Sequence, residues 1–548
     1  MKLIAKTFAG LEELLAKELN SIGAENVEIG NRMVSFQGDK EILYKANFCL
    51  RTAVKILMPI REFKAKDADE VYEETKKIHW ENYMDEDSTF LVDAVVFSDE
   101  FRHSRFAAYR VKDAIADYFR ERSGRRPNVG ISNPDIRVNL HISDHDVTIS
   151  LDSSGESLHH RGYRTGTVAA PLNEVLAAGI IMLTGWDGDS DFIDPMCGSG
   201  TILIEAALIA KNIYPGVFRK EFAFEHWKDF DPDLFDEIYN DDSQERDFNF
   251  HIYGYDINHH AVSIANENAK SAGVSDIVTI QQGDVRDLEP QQMPSIMVTN
   301  PPYGERITTD DILGLYADFG TVLKHSFAGG DAWVLSLHEE CFAKIGFRPS
   351  TRYILYNGAL ECELRKYQMF EGKLSERRQE GLDIKTKEER IRNAKFKGHK
   401  QVRDNNTSSA RDNERQLTDE ELLIQPNAKF KRELERNSSR NSRFNTDDES
   451  HYFKSKPFKK YGDKIHKFKD YSDDEPRKQH GHKDSKGGKD YKSKSFKGHG
   501  AGSKDRRFND SRKSEKNFGK FDKSSSDRRS KGGKRFTFDS DGNPILND

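Results

Sequence analysis

The sequence predicts an α/β protein: a doubly wound, mainly parallel sheet behind a smaller α+β module, followed by a long disordered basic tail. Three observations carry this. From about Thr165 to Phe370, short apolar strands alternate with helical periodicities, the rhythm of strand–helix–strand crossovers. Before that stretch, helices and alternating strands occur in mixed order. After Phe370 the composition turns to Lys, Arg, Ser, Gly and Asp with lone Phe or Tyr and almost no Leu, Ile or Val. Such a segment cannot bury enough apolar area to offset its chain entropy.

The elements follow in order. Leu11, Leu14, Leu15 and Leu19 have helix spacing, and VEIGNRMVSFQG after them reads as strand. A second helix is expected over Ala46–Ile56. STFLVDAVVFS is the next strand, SRFAAYRVKDAIADYFRERSG an amphipathic helix, and IRVNLHIS and DVTISLDSS two strands about a polar turn at Ser143–His145. The crossover rhythm then runs through FIDPMCGSGT into TILIEAALIAKNI, and FHIYGYDIN into HHAVSIANENAKSAG. DIVTIQQGDV, SIMVTNPPYG and DAWVLSLH come next, with YILYNGALECELRKYQ as a closing pair. These elements divide the chain into residues 1–60, 61–160, 161–370 and the tail 371–548. Within the tail, Leu417–Gln425 is a possible short helix with Thr418 as its cap.

Composition narrows the class. The 548 residues are 36% apolar and 32% charged, and their mean hydropathy is −0.79. No window offers the run of 18 or more uncharged apolar residues that a membrane span needs, and acidic residues appear too early at the N-terminus for a signal peptide. Cys49, Cys197, Cys341 and Cys362 are scattered singly, with neither zinc nor disulfide spacing. No metal, no membrane and a reducing, cytoplasmic compartment are the expectations. The net charge of −7 hides a division: residues 371–548 hold 47 Lys and Arg against 32 Asp and Glu, which leaves −22 on residues 1–370. Basic residues interleaved with single aromatics suit sequence-tolerant nucleic-acid binding, cations to phosphates and rings to bases.

The strongest local signal is Asp194-Pro195-Met196-Cys197-Gly198-Ser199-Gly200-Thr201, a strand end that turns on two glycines into an apolar helix. In a doubly wound sheet this crevice is where a ligand sits. The turn has neither the third glycine of a dinucleotide fingerprint nor the GK[ST] of a phosphate loop. Asp256 closes the second strand, where a carboxylate can accept both hydroxyls of a ribose. Asp284 follows the third, where a carboxylate can accept from the amine of adenine, with Val285 or Ile257 against the ring. Adenine and ribose with no basic cradle for a pyrophosphate point to S-adenosylmethionine, whose sulfonium tolerates Asp194 nearby.

After the fourth strand come Asn300, Pro301, Pro302 and Tyr303. The exocyclic amine of a base is a poor nucleophile because its lone pair is delocalised. The Asn300 side-chain oxygen and the Pro301 carbonyl can each accept one of its hydrogens, which favours the tetrahedral amine of the transition state. Two prolines make the loop rigid, and Tyr303 can stack on the base. Asn300, next to the cofactor crevice, also counts among the cofactor-side residues.

Here the chain resembles the class I S-adenosylmethionine-dependent methyltransferases of the NPPY group, and among them the THUMP-containing large-subunit rRNA guanine-N2 methyltransferases. DPMCGSGTILIEAA, FAFEHW, NPPYGERI, YNGALECEL and His160–Trp186 carry the resemblance, which covers about residues 1–370. It implies a Rossmann-like methyltransferase sheet behind a ferredoxin-like part and a THUMP RNA-binding domain. The implied reaction is methylation of a guanine amine in 23S rRNA, with RNA or the assembling large subunit as partner. Some members continue into a second methyltransferase domain, whereas this chain continues into its basic tail. The 62 residues from Asp194 to Asp256 exceed one helical crossover, so Tyr214–Asn249 is expected to be an insertion over the sheet edge. A local basic patch for RNA is sought among Arg102, Arg105, Arg110, Arg120, Arg122, Arg125, Arg126, Arg161 and Arg164. Two alternatives stay open. One is an adenine-N6 DNA or RNA, or protein glutamine, methyltransferase, since NPPY serves any planar amine. The other is a non-catalytic RNA-binding assembly factor, against which the intact Asp194, Asp256, Asn300 and Tyr303 argue.

Overall fold

The computed structural model describes residues 1–101, 103–168, 171–289, 293–302, 309–370, 389–390, 536–538 and 544–546. The first half is one mixed sheet. Its strands are β1 (Lys2–Lys6), β2 (Glu25–Gly30), β3 (Met33–Gln37), β4 (Lys55–Lys64), β5 (Thr89–Phe97), β6 (Asn128–Val129), β7 (Ile136–Ser143) and β8 (Asp146–Asp152). They lie in the order β2-β3-β1-β4-β8-β7-β5-β6. The antiparallel β4–β8 pair joins what the sequence divides at residue 60 into one continuous sheet. Helices α1 (Glu12–Ser21), α2 (Lys40–Cys49), α3 (Ala68–Lys76) and α4 (Ser104–Ser123) pack with it in one apolar core.

Two expectations are corrected here. The helix expected over Ala46–Ile56 begins earlier, because Asp39 accepts from the Ile42 amide as its cap. It ends at Cys49, and Lys55 and Ile56 already belong to β4, a strand with Pro59 inside it that local periodicity did not reveal. VEIGNRMVSFQG is two strands rather than one, because Arg32 takes a left-handed φ of 55° and the chain reverses into a β2–β3 hairpin.

The second half is the doubly wound sheet. After α5 (Glu174–Thr184) come β9 (Asp191–Asp194), α6 (Thr201–Ala210) and α7 (Pro232–Tyr239), then β10 (Ile252–Asp256), α8 (His259–Ser271) and β11 (Val278–Gln282). β12 (Ser295–Thr299), α9 (Thr309–Ser326), β13 (Asp331–Ser336), α10 (Glu339–Ile345), β14 (Thr351–Asn357) and β15 (Leu360–Gln368) complete it. The order is β11-β10-β9-β12-β13-β15-β14, parallel except for the antiparallel β15, which pairs with β13 and β14. The order reverses at β9, so the carboxyl ends of β9, β10 and β12 open on one crevice. α6 is buried along its whole length and apolar apart from Thr201 and Glu205, as suits a helix covering a parallel sheet.

The Tyr214–Asn249 insertion is a further correction. Phe222, Phe224, Trp227 and Phe235 are in the core of the first half, not over the sheet edge, whereas Phe218 and Phe248 stay with the core of the second. Phe224 stacks on Tyr44 of α2 with ring centroids 4.4 Å apart, and Phe235 meets both Tyr44 and Phe48. Lys228 donates to the carbonyls of Glu81 and Met84, both at 2.9 Å. Arg219 donates to the carbonyls of Ser154, Glu156, Ser157 and His160 on the segment between the halves. A cluster of aromatic rings buried against α2 outweighs what an exposed sheet edge could offer.

The tail lies outside the described residues apart from three short pieces. Glu389 is nearly buried and lies 3.7 Å from Lys366. β16 (Phe536–Phe538) and β17 (Pro544–Leu546) pair antiparallel. The possible helix at Leu417–Gln425 falls outside the described residues.

Candidate active site

β9 delivers Asp194 to the floor of the crevice, 1% exposed. Its carboxylate accepts from Thr299 Oγ1 at 2.7 Å and from the Met196 amide at 3.2 Å. Burial nevertheless dominates, and with Asp256 nearby it raises the Asp194 pKa to about 7. The chain then turns through Pro195, Met196 and Cys197 to Gly198 and Gly200, whose φ values of +57° and +81° favour glycine. Ser199 and Thr201 are nearly buried. At the end of β10, Asp256 accepts from the Gly198 amide at 2.9 Å and from the Asn258 amide at 2.8 Å. It therefore fastens the turn as well as facing the crevice. Two residues earlier, a Cβ on Gly254 would lie 2.2 Å from Leu203 Cδ1 of α6, so a larger residue there would force that buried side chain to move.

Asp284 follows β11 as expected and caps the short 3₁₀ turn Val285–Asp287. Arg286 pairs with both its carboxylate oxygens and lowers its pKa, so an arriving amine must compete with that guanidinium. Ile257 is 63% exposed at the rim, whereas Val285 is packed in the core beside Ile193 and Met297. Of the two apolar residues expected against a ring, Ile257 is the accessible one. β12 carries Asn300 to the same end of the sheet. Its Oδ1 is buried and has no hydrogen-bond partner among the described residues. A buried acceptor left unpaired costs free energy unless a ligand pairs it. Pro301 is buried and Pro302 exposed; Tyr303 lies outside the described residues. Asp194 and Asp256 at a two-glycine turn, with Asp284 at the end of the neighbouring strand, fit a cationic adenosine-type ligand.

The arginine candidates separate. Arg105 and Arg126 are exposed, and Arg125 pairs with exposed Asp87. Arg110 lies over the Tyr72 ring at 4.4 Å and pairs with Asp69, while Arg122 lies over Tyr118 at 3.6 Å. Arg120 pairs with Asp117. Arg102 lies outside the described residues. Arg161 is a correction: it is 2% exposed, donates to the carbonyls of Leu158 and Arg51, and faces buried Glu205 of α6. Arg164 is partly buried: it lines the cleft described next, and its guanidinium donates to Glu174, Ser199, Thr201 and the Leu172 carbonyl. A cleft of about 750 Å³ separates Ser132–Arg137 from the insertion, with Lys55, Arg137, Lys220 and His226 on its walls. Asp194, Asp256 and Asn300 do not line it.

Sequence reasoning missed Thr299, Asn268 and Glu205. Thr299 had a faint signal, a polar residue ending an otherwise apolar strand. Asn268 had another, an asparagine on the apolar face of a helix, where it is 0% exposed. Glu205 sits inside an apolar run and pairs with residues far away in sequence.

Among the described residues no three His, Cys, Asp or Glu side chains cluster to hold a metal, and no helix is long and apolar enough to cross a membrane. The two halves match a doubly wound methyltransferase domain and a THUMP-type module. Three family models match in succession: an RlmL ferredoxin-like domain over residues 2–57, a THUMP domain over 65–152 and an RMKL-like methyltransferase domain over 161–366. A putative RNA methyltransferase of Synechocystis sp. is 38% identical over 66% of this chain and 95% of its own length. The ribosomal RNA large subunit methyltransferase K/L of Syntrophotalea carbinolica is 41% identical over 68% of this chain and 54% of its own. The chain thus spans about half the length of the K/L relatives it matches. A solved putative methyltransferase complexed with SAH is 30% identical, with a TM-score of 0.61 over 68% of this chain and 99% of its own. Another, from Listeria monocytogenes, bears the name of a predicted N6-adenine-specific DNA methylase and is 32% identical, with a TM-score of 0.61 over 67% of this chain and 96% of its own. The chain belongs to the THUMP-containing, RMKL-like methyltransferase family.

Proposed function

We propose that this protein methylates the exocyclic N2 amine of a guanine in large-subunit (23S) rRNA, using S-adenosylmethionine. The observation that carries the reading is Asn300 Oδ1, a buried acceptor without a partner among the described residues, at the end of a strand beside the carboxylate-ringed turn. S-adenosylmethionine, when bound, supplies an electrophilic methyl group on a sulfonium. Asp256 would hold its ribose and Asp284 its adenine amine. Asp194 would oppose the positive charge.

The remaining chemistry belongs to the chain. Asn300 Oδ1 accepts one hydrogen of the base amine and the Pro301 carbonyl the other, which draws the nitrogen toward a tetrahedral lone pair. Tyr303 stacks on the flipped base and holds it in line with the methyl group. The surplus proton leaves to solvent after transfer, since no residue of the site needs to remove it first. RNA as the carrier of the base is supported by the THUMP module and by the cleft with Lys55, Arg137 and Lys220 on its walls. The name of the Listeria relative favours adenine in DNA as the second reading.

One experiment separates the two. Modified guanines are mapped in rRNA from a strain lacking the protein, complemented with the parent or with Asn300→Ala. The expected result is one N2-methylguanine restored by the parent alone. Full rRNA methylation without the protein, together with methyl transfer to duplex DNA in vitro, would establish the DNA reading instead.

A further inference from the structure

The geometry points to Arg164 as a positioning residue of the cofactor turn, reached from the chain segment that leaves the RNA-binding half. This rests on the methyl-transfer reading for the identity of the ligand.

The turn's own bonds, from the Met196 amide to Asp194 and from the Gly200 amide to the Cys197 carbonyl, fix its backbone but not the hydroxyls of Ser199 and Thr201. Gly198 and Gly200 carry positive φ, and Gly200 at the N-terminus of α6 has no side chain to cap the first amides. Two glycines also leave the most backbone freedom to be lost on ordering. The constraint on those hydroxyls comes from outside. Arg164 Nη1 donates to Ser199 Oγ at 3.1 Å, and Nη2 to Thr201 Oγ1 at 2.9 Å and the Leu172 carbonyl at 3.2 Å. Nε donates to Glu174 Oε1 at 2.7 Å. Four acceptors fix the plane of one guanidinium, and with it two hydroxyls of the turn.

The placement runs against simple electrostatics. A cation beside the N-terminus of α6 meets the positive end of the helix dipole. Glu174, in the first turn of α5, offsets that charge but does not explain the reach to Ser199 and Thr201. The fork geometry does. Asn268 works beside it from α8: its Oδ1 accepts from the Thr165 and Gly166 amides at 2.9 and 3.2 Å, and its Nδ2 donates to the carbonyls of Gly166 and Ser199, both at 3.0 Å. Arg161 and Tyr163 reach Glu205 farther along α6. Residues 161–166 are thus fastened to both ends of the structure that makes the turn. Arg164 acts on a bound ligand through Ser199 and Thr201, not by touching it.

The test is calorimetry of SAH binding to the full chain carrying Arg164→Gln or Arg164→Lys. The Gln variant is expected to raise Kd about tenfold or more, as misplacement of a preorganised site does. Its Tm should stay within about 3 °C of the parent. At saturating cofactor its kcat should return to within about threefold of the parent, so that the loss appears in KM. The Lys variant keeps a charge opposite Glu174 but lacks the fork, and should bind SAH as weakly as the Gln variant. It carries the test alone should the Gln variant not fold. Parent-like SAH affinity in either variant overturns the inference, and so does a joint collapse of Tm and SAH affinity, which would mark a merely structural residue. A parent chain that binds no SAH overturns the methyl-transfer reading and this inference together.

Discussion

Asn300 is the residue on which the proposed chemistry turns, because its oxygen is kept from water and given no partner among the described residues. Asn300→Ala should lower single-turnover methylation by roughly a hundredfold or more while leaving SAH affinity within a few fold, the signature of a lost transition-state acceptor. Asp256→Ala should weaken SAH binding by about 1.5–3 kcal/mol by calorimetry, since a charged acceptor and the anchor of the Gly198 amide are removed together. Asp194 gives a pH signature. With its pKa raised to about 7 by burial, the carboxyl is mostly protonated at pH 6 and mostly ionised at pH 8. Affinity for cationic S-adenosylmethionine, relative to neutral SAH, should rise about tenfold across that interval. Ligand-free stability should move the other way. The native state holds a proton that the unfolded chain releases near pH 4, so stability is lost as pH rises from about 4 to 7. Urea unfolding at pH 5, 6, 7 and 8 checks the sign.

At the scale of elements, most of the doubly wound sheet was legible, because its strands are short apolar runs and those that border the crevice end on an acid or an asparagine. β4 was not, and neither was the place of the insertion. Both depend on partners distant in sequence: β4 on β8, and Phe224 and Phe235 on Tyr44 and Phe48 of α2. Phe224, 0% exposed, is the residue to test. Phe224→Ala should cost about 3–5 kcal/mol in urea unfolding, the range for an aromatic removed from a packed core. SAH affinity measured well below the melting temperature should stay near the parent value, because Phe224 packs in the core of the first half and not against the crevice. Little destabilisation would show that the aromatic cluster is not what joins the halves.

For the whole molecule, the charge division sets the expectation. Residues 371–548 hold a balance of +15 behind an acidic body. Truncation after Lys400 spares Glu389, which lies against Lys366. The truncated chain should keep its SAH affinity and melt near the parent temperature. Its RNA affinity should fall, and the slope of log affinity against log salt should become shallower by several units, about 0.7 to 0.9 for each phosphate that the tail no longer neutralises. An unchanged slope would leave the tail as a solubilising segment.

The sequence by itself determined the class of sheet, the turn from Asp194 to Thr201, the acids at successive strand ends and the Asn300 loop. Each is a local pattern, written in residues close together along the chain. Only the tertiary structure decided which arginines face solvent. Arg161 and Arg164 look like RNA contacts in a linear reading, because charge is visible in a sequence and burial is not. Their partners Glu205, Ser199 and Thr201 lie 35 to 44 residues away and come within reach only when α6 docks on the sheet. A buried charge must be paired and hydrogen-bonded. That requirement is answered across the fold and not along the chain, which is why Arg161 packs against Glu205 and Arg164 against Glu174, Ser199 and Thr201.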